Sequence, residues 1–457
     1  MSVDDMDMIF HSYDSAEHKA RKAYELYEDG EVSQAIAELE DALAINPANS
    51  AWHFNKALAL DSMNRFNEAI AEYELSLESD PSDVEILTCL AVDYTRTGLY
   101  DRAIEIFEQA QQLDPMFEPC YCNRIITYTE MEKHDLAEQM FYMAQHIDPD
   151  CALCFYNIGN SLFIRGQYQK AISCWKKTAV LEKTHPQINY RIAQAYMADG
   201  DFENARQYFL IELRQDPGNT DVITDFALML LENGQIESAK EKFNRILELE
   251  PDSAEAHLYL GEIALNNNEI DNAEELFNKS LQFDDTKLGP RFRLAQCALR
   301  KGRFDKAQSY LVSEMCMGPE NPDVLVAMAS TFLQMNRIDQ ASQCLLHSTD
   351  SDFTNAAAHY YLGLCCALRG RYENAVEFFL HALDLDETNR DAARDLAAAY
   401  YSIGRFEDAA RTIEQAFLSD TDSRFIKQLI LKIRLRRFIK RLLDPLSFLK
   451  PFRLWRR

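Results

Sequence analysis

A small residue recurs every 34 positions along most of this chain, and this period restricts the fold more than any other feature. When a 34-residue frame starts at Ala16, the twentieth place of all twelve frames is alanine, from Ala35 to Ala409. The eighth place is alanine or glycine in eleven frames, and Ile125 is the exception. No insertion interrupts the frame between residues 16 and 423. Such a period is typical of supersecondary units that stack on one another.

Each frame contains two blocks in which apolar residues recur at intervals of three and four, and this spacing predicts two amphipathic helices. In the fifth frame the blocks are centred on Ile158 and Ile172, and Gly166 between them predicts a turn. Proline near the end of many frames, as at Pro47, predicts the end of the second helix. The residues expected to cap the next first helix are Ser50, Asp83, Thr220 and Ser253.

The frame resembles the tetratricopeptide repeat, a 34-residue helix-turn-helix unit with the pattern W-x2-L-G-x2-Y, A-x3-F and P. The third frame matches at Leu87, Leu90, Ala91, Tyr94, Ala103, Phe107 and Pro115, and the eleventh at His359, Leu362, Gly363, Cys366, Ala375, Phe379 and Glu387. The resemblance implies an all-α fold, a right-handed α-α superhelix of stacked hairpins. We expect a short acidic lead at 1–15, twelve repeats over 16–423, a capping, amphipathic basic helix over 424–443 and a basic aromatic tail over 444–457.

The resemblance also implies that the first helices line a concave groove that binds peptides or helices of partner proteins. The second, fifth, ninth, twelfth and thirteenth places of each frame would face it; we call these places the first-helix face. They carry eleven acids and only three bases, which favours an apolar partner with net positive charge. The candidate contact residues are Phe54, Tyr156, Asn157, Asn160, Phe163, Tyr190, Arg191, Gln194, Met197, Leu231, Leu265, Phe292, Leu299, Leu333 and Tyr360.

Two interpretations of the twelfth place remain open, because it is apolar in six successive frames from Phe163 to Leu333. It either half-packs on the next hairpin or forms an apolar stripe for a partner. Chaperone C-termini are bound in this family by lysines and asparagines on the groove. The fifth places here contain no lysine, and Arg394 is their single base, so that use is not expected.

Charge is divided between the body and the C-terminus of the chain. Residues 424–457 contain twelve Lys or Arg and one acid, so they carry +11; since the whole chain carries −27, the remaining residues carry −38. The body is therefore unsuited to nucleic acid, which needs a basic face. The tail residues expected to dock on anionic lipid, or on the acidic body in cis or of a second copy, are Arg434, Arg436, Arg437, Phe438, Lys440, Arg441, Phe448, Phe452 and Trp455. A solvated basic extension is the third interpretation.

Residues that could carry chemistry are few. Phosphate-binding, zinc-protease and nucleophile-elbow motifs are absent from the sequence, and His53, His257 and His359 occupy a packing place of the frame. Cys120, Cys122, Cys151 and Cys154 could together form a four-thiolate zinc site. Because Cys120 and Cys122 would point to different faces of a helix, we expect packing thiols and no metal, cofactor or catalytic residue.

These observations predict a non-catalytic protein-protein interaction scaffold. The alternative is a membrane-surface adaptor, whose basic tail docks on anionic lipid while the repeats recruit other proteins. The acidic start without a signal segment and the eleven cysteines without a disulfide framework favour a cytoplasmic location, including the periphery of a membrane.

Overall fold

Helices form every regular element in the part of the chain that the structure describes. The structure is a computed structural model; it describes residues 3–416, 431–432 and 435, with side chains from residue 15. The helices up to residue 416 are α1 (Val3–Glu28), α2 (Val32–Ile45), α3 (Ser50–Ser62), α4 (Phe66–Ser79), α5 (Val84–Arg96), α6 (Tyr100–Leu113), α7 (Glu118–Glu130), α8 (His134–Ile147), α9 (Ala152–Ile164), α10 (Tyr168–Leu181), α11 (Ile188–Ala198), α12 (Phe202–Gln215), α13 (Thr220–Glu232), α14 (Ile236–Leu249), α15 (Ala254–Asn266), α16 (Ile270–Phe283), α17 (Pro290–Arg300), α18 (Phe304–Cys316), α19 (Pro322–Gln334), α20 (Ile338–Ser351), α21 (Ala356–Leu368), α22 (Tyr372–Leu385), α23 (Arg390–Ser402) and α24 (Phe406–Ala416).

The helices follow the repeat frame closely. Odd-numbered helices are the first helices of the repeats and even-numbered ones the second helices, and every second helix from Val32 to Phe406 begins at the seventeenth place. The fifteenth place, in the turn between them, has positive φ in all twelve repeats, all of which lie in the described range. Glycine occupies it in eight repeats; Asn64, Asn268, Asn336 and Glu132 occupy it in the others. The left-handed turn thus explains the glycines that separate the two apolar blocks.

The small residues of the frame lie where helices approach closely. All twelve alanines at the twentieth place are completely buried. The twenty-fourth place of the second helix carries a large apolar residue that packs toward the eighth place of the first helix. A Cβ atom on Gly261 would lie 2.6 Å from the Phe277 ring, so a larger residue there would require the ring to shift. A small residue is therefore required by helix-to-helix distance, as the period predicts.

The chain divides into two compact units, residues 1–239 and 240–457, and α14 contains the boundary. In the first unit α1 to α12 pack in hairpin pairs, and α7 also contacts α9. In the second unit α15 to α24 pair in the same way. Each unit has apolar cores that run from hairpin to hairpin, since a single hairpin cannot bury its own apolar face.

Helix boundaries differ from the expected ones at the N-terminus and at two of the four predicted caps. The acidic lead is not separate from the first repeat, because α1 begins at Val3 and continues through it. Asp83 and Ser253 cap the following helices as expected. Ser50 and Thr220 are instead the first residues of their helices, and the side chains of Asn49 and Asn219 accept the capping hydrogen bonds from backbone amides.

The predicted capping helix and basic tail lie outside the described residues, apart from residues 431, 432 and 435. Within the described part, no helix combines the length and apolarity needed to cross a bilayer.

Two first helices, α11 and α17, begin two residues late, at Ile188 and Pro290. Both belong to repeats whose twenty-seventh place is a buried glutamate, Glu212 or Glu314. The Gly289 amide donates a hydrogen bond to Oε1 of Glu314. The Glu314 carboxyl group lies on α18, the second helix of the repeat. It thus caps the start of α17, the shortened first helix of the same repeat.

Candidate functional site

Ten of the predicted contact residues lie in the first unit: eight on the first-helix face, and Asn157 and Arg191 at the sixth place beside it. Side chains that are half-buried, and so keep surface for a partner, are Phe54, Tyr156, Asn160, Phe163, Tyr190, Arg191, Gln194, Met197 and Leu231. Asn157 differs, because only 3% of it is exposed. Its amide donates to the Cys122 carbonyl oxygen at 3.1 Å, so Asn157 fastens two first helices together and is removed from the proposed contact surface.

In the second unit, half-buried contact residues are Leu299, Leu333 and Tyr360. Leu265 and Phe292 are 3% and 4% exposed and belong to the apolar cores. These two residues therefore leave almost no surface for a partner, and they too are removed from the contact set.

Hydrogen bonds between successive first helices hold several of these side chains. The Tyr190 hydroxyl donates to Asp225 Oδ2 at 2.7 Å, and the Gln194 amide donates to the same oxygen at 2.9 Å. Tyr360 and Asp395 repeat the tyrosine bond at 3.1 Å in the second unit. Burial raises the pKa of Tyr190 and of Tyr360, and the carboxylate that each contacts raises it further. The rings are thus held in place before any partner arrives.

The twelfth-place residues pack partly within the repeats. The Phe163 ring lies 5.4 Å from the Tyr168 ring and 5.7 Å from the Trp175 ring, centroid to centroid, and all three belong to one hairpin. Leu299 and Leu333 pack at the edge of one core of the second unit. At the twelfth place, Leu265 is thus packed completely, whereas the other five residues from Phe163 to Leu333 are packed in part and keep an outer part open to solvent.

The three bases of the first-helix face are bound to groups of the chain itself. Arg96 pairs with Asp61 and Asp93, Arg394 pairs with Asp391 and Asp395, and Arg300 donates to the Leu265 carbonyl oxygen at 2.7 Å.

Acids of the same face are not all neutralised in this way. Glu130, Asp221 and Glu232 are exposed, and within the described residues no Lys or Arg forms an ion pair with them. The uncompensated charge of this face in the first unit is therefore negative.

A buried carboxyl group lies beneath this face in the third repeat, and the sequence patterns did not indicate it. Asp93 is 1% exposed, and its Oδ2 atom has no hydrogen-bond partner in the structure. Burial, together with the neighbouring Asp61 carboxylate, raises the pKa of Asp93 to about 7. Arg96 offsets part of this shift by donating to Asp93 Oδ1 at 3.1 Å.

Three cysteines and one glutamate converge between the fourth and fifth repeats. One ligand atom from each of Glu118, Cys122, Cys151 and Cys154 lies within 4.8 Å of all the others. Cys120 is not a member, because its thiol points to the Phe107 carbonyl oxygen at 3.2 Å. The expectation that Cys120 and Cys122 face different ways is confirmed.

The spacing of the cysteines did not indicate the fourth member of this group, Glu118. Its position four residues before Cys122 was the available signal, since residues four apart share a helix face. Burial raises the pKa of the Glu118 carboxyl to about 7. Hydrogen bonding from the Cys122 and Cys154 thiols lowers the pKa of Cys151.

The three histidines at the fourth place of their repeats are buried and hydrogen-bonded to the backbone, as a packing role predicts. The ring nitrogens contact the carbonyl oxygens of Pro47 for His53, Ser253 for His257 and Phe353 for His359, all at 2.9 Å.

Comparison with known families gives matches along most of the chain. Residues 17–182 match the psidin N-terminal tetratricopeptide region, and residues 186–253 match the YpiA-like C-terminal tetratricopeptide repeats. General tetratricopeptide repeat profiles match residues 224–287, 326–390 and 367–432. No curated protein matches the sequence.

Solved structures with a similar arrangement include yeast Tom70, at 14% identity and a TM-score of 0.43, covering 94% of this chain and 97% of that chain. The Cut9 and Hcn1 hetero-tetramer of the APC/C gives 12% identity, a TM-score of 0.44 and coverage of 92% and 96%. YrrB, described as having an unusual peptide-binding site, gives 17% identity, a TM-score of 0.37 and coverage of 41% and 96%.

Proposed function

Because this chain is a tetratricopeptide repeat protein of twelve repeats, we propose that it is a non-catalytic scaffold that binds peptides or helices of partner proteins on its first-helix face. The observation that carries the proposal is the surface of the first unit between Tyr156 and Leu231. There, half-buried rings and aliphatic side chains lie on α9 and α11. The first helices on either side in the repeat order, α7 and α13, carry Glu130, Asp221 and Glu232, which no base of the described chain neutralises.

The chemistry of this surface defines the partner. Half-buried apolar groups gain free energy when a partner covers them, at roughly 25 cal/mol per Å² of apolar area. Unpaired carboxylates favour Lys and Arg at the rim of such a contact, and they disfavour acidic partners. We therefore expect a peptide or helix with an apolar stripe and net positive charge.

A display library of random 16-residue peptides, panned against the full chain, tests the proposal directly. Enriched peptides should be apolar and basic, and their affinity should fall as salt rises, because ions screen exposed charges over about 8 Å at physiological ionic strength. The triple variant Glu130→Lys, Asp221→Lys, Glu232→Lys should lose these peptides.

The matched control reverses three exposed acids on second helices of the same unit. Asp101→Lys, Glu105→Lys and Glu203→Lys change the net charge of the chain by the same amount but lie away from the first-helix face. This control should keep the enriched peptides. Equal losses in the two triple variants, or enrichment of acidic peptides, would contradict the proposal.

A second candidate function, a membrane-surface adaptor, rests on the segregated charge of residues 424–457. Two described residues of that segment, Leu431 and Leu435, are helical, one turn apart, and 68% and 57% exposed. An apolar side beside many bases is the composition of an interfacial helix. The proposed lipid contacts from Arg434 to Trp455 lie outside the described residues.

Flotation with vesicles containing anionic lipid separates the two candidates. The full chain should float with these vesicles and detach in high salt, whereas a chain ending at Arg434 should stay at the bottom. If the two chains behave alike, the adaptor candidate fails and the scaffold proposal is unaffected.

A further inference from the structure

The cysteine and glutamate cluster of the fourth and fifth repeats is built as a ligand set. Glu118 and Cys122 lie four apart on α7, so their side chains share one face of that helix. Cys151 is the N-cap of α9, and Cys154 is its third residue. Two neighbouring first helices therefore each contribute one pair of side chains to a single point.

The spacing of the four ligand atoms suits a small tetrahedral ion. All lie within 4.8 Å of one another. A tetrahedral zinc ion with Zn–S bonds of about 2.3 Å places its sulfur ligands about 3.8 Å apart. The side chains would need only small rotations to reach that distance.

Neighbouring groups donate hydrogen bonds to the sulfur atoms, as groups behind metal ligands do. The Cys154 amide donates to Cys151 Sγ at 3.3 Å, and the Asn157 amide lies 3.6 Å from Cys122 Sγ. Asn157 also holds the Cys122 carbonyl oxygen and is itself buried. These bonds fix the orientation of two of the three thiols.

Packing alone does not account for the cluster. Cys122 and Cys154 are buried beside the Glu118 carboxyl, to which the Cys154 thiol donates at 2.8 Å. Within residues 15–416, no Lys or Arg side chain forms an ion pair with Glu118. Cys344, by contrast, is a buried thiol that packs against the Met315 sulfur. A divalent cation would supply the positive charge that this position lacks.

We propose that Glu118, Cys122, Cys151 and Cys154 bind one Zn²⁺ ion that joins the fourth repeat to the fifth. Three thiolates select zinc over magnesium or calcium, which prefer oxygen ligands. With four protein ligands the ion has no open position, so its role is structural. Binding releases the thiol protons to solvent, and it stabilises the folded chain because the four ligands converge only there.

The first experiment measures metal content in the full chain. The protein is purified under reducing conditions, its free thiols are counted, and zinc is determined by mass spectrometry. We expect about one zinc per chain, removed by a strong chelator and accompanied by a fall in the melting temperature. Fully reduced protein without zinc, and with no uptake from added Zn²⁺, would overturn the proposal, as would a disulfide between these cysteines in the native protein.

Cobalt provides a reading that does not depend on stability. Co²⁺ added to the metal-free chain should give the sulfur-to-cobalt charge-transfer absorption and the intense visible bands of a tetrahedral thiolate site. The double variant Cys122→Ser, Cys154→Ser should lose both. A spectrum typical of octahedral oxygen ligands in the wild-type chain would overturn the assignment without any mutation.

The chain offers a matched control in Cys120. This thiol is buried, lies two residues from Cys122 and points away from the cluster. Cys120→Ala should keep the full zinc content and the cobalt spectrum. Asn157→Ala should keep the tetrahedral spectrum but weaken zinc binding by roughly 10-fold, the low end for a lost partner of a metal ligand. Equal cobalt spectra in the double variant and in Cys120→Ala would disprove the ligand set.

Discussion

The eighth and ninth repeats are neighbours in the second unit, and each connects its two helices through a different residue at the twenty-seventh place. In the eighth, α15 begins at Ala254, and the Ser280 hydroxyl of α16 donates to the Ala254 carbonyl oxygen at 2.7 Å. In the ninth, α17 begins two residues later, and Glu314 accepts a bond from the Gly289 amide. In the repeat whose first helix starts two residues later, the donor at the twenty-seventh place, the Ser280 hydroxyl, is thus replaced by an acceptor, the Glu314 carboxyl group.

The comparison shows which part of the repeat is fixed. Both second helices begin at the seventeenth place, whereas the start of the first helix shifts and its capping shifts with it. Hydroxyls at the twenty-seventh place of other regular repeats behave like Ser280: Ser76 donates to Ser50 and Ser348 donates to Pro322. The side chain at this place therefore follows the backbone group that it faces.

The largest expected effect comes from removing Glu314. Glu314→Ala leaves the Gly289 amide without its acceptor and opens a cavity, so we expect a loss of about 2–4 kcal/mol in unfolding free energy. Ser280→Ala should cost only about 0.5–1 kcal/mol, because the Ala254 carbonyl is at a helix start and keeps its helical partner. Urea titration followed by circular dichroism gives both values. Equal costs would show that the two residues do not differ in role.

The next effect tests the close contact between the two helices of each repeat. The eighth repeat pairs Gly261 with Phe277, and the ninth pairs Ala295 with Leu311. Gly261→Ala should cost about 1–3 kcal/mol, since the new Cβ would lie 2.6 Å from the Phe277 ring.

Converting the whole pair checks the cause of that loss. Adding Phe277→Leu to Gly261→Ala reproduces the pair of the ninth repeat and should recover part of the stability. The double variant should therefore be more stable than the sum of the two single changes. Strict additivity would mean that these side chains do not meet.

The pH dependence of stability should also distinguish the repeats. Burial raises the pKa of Glu314, so the folded chain holds its proton more strongly than the unfolded chain. That contribution is fully present below the unfolded pKa of about 4.3 and is lost as pH rises through the folded pKa. Glu314→Gln removes the titration. Its stability relative to wild type should rise from pH 4 to pH 7; Ser280→Ala, the control, should show no such trend.

The smallest effect concerns the left-handed turn. Asn268 and Gly302 occupy the same place of the two repeats, with φ of 63° and 70°. A Cβ on Gly302 would meet no atom within 4 Å, so Gly302→Ala should cost only the conformational strain, about 1 kcal/mol. Asn268→Gly should change the melting temperature little, and Asn268→Ala should lower it. A destabilising Asn268→Gly would point to a side-chain role for Asn268.

The sequence predicted the fold because each of its signals is local. Alanine at the twentieth place and glycine at the fifteenth reflect contacts and turns inside one hairpin, so the period alone locates the second helices. The shifted start of α17 is accompanied by a hydrogen bond to Glu314, 25 residues after Gly289 in the chain, and no pattern within the first helix indicates it. The late helix starts were therefore not predictable from propensity.

The contact surface and the cysteine cluster were also harder to predict, because the role of each residue there depends on neighbours that are distant in the sequence. Leu265 and Phe292 share their places with half-buried residues of other repeats, and their burial depends on the particular neighbours that they meet. The cysteine cluster required Glu118 and Asn157, which matter only because the fourth and fifth repeats bring them together. The spacing of cysteines alone cannot indicate a cluster that also contains a glutamate.

In four repeats a hydroxyl at the twenty-seventh place, that of Ser76, Thr178, Ser280 or Ser348, hydrogen-bonds the two helices of one repeat to each other. Under tension applied at the ends of a unit, such a hairpin would give way as a whole while its neighbours stay closed. Each released repeat of 34 residues would lengthen the chain by up to about 120 Å, because an extended residue spans about 3.3–3.6 Å. The 34-residue period thus also sets the increase in length expected for each repeat that unfolds under force.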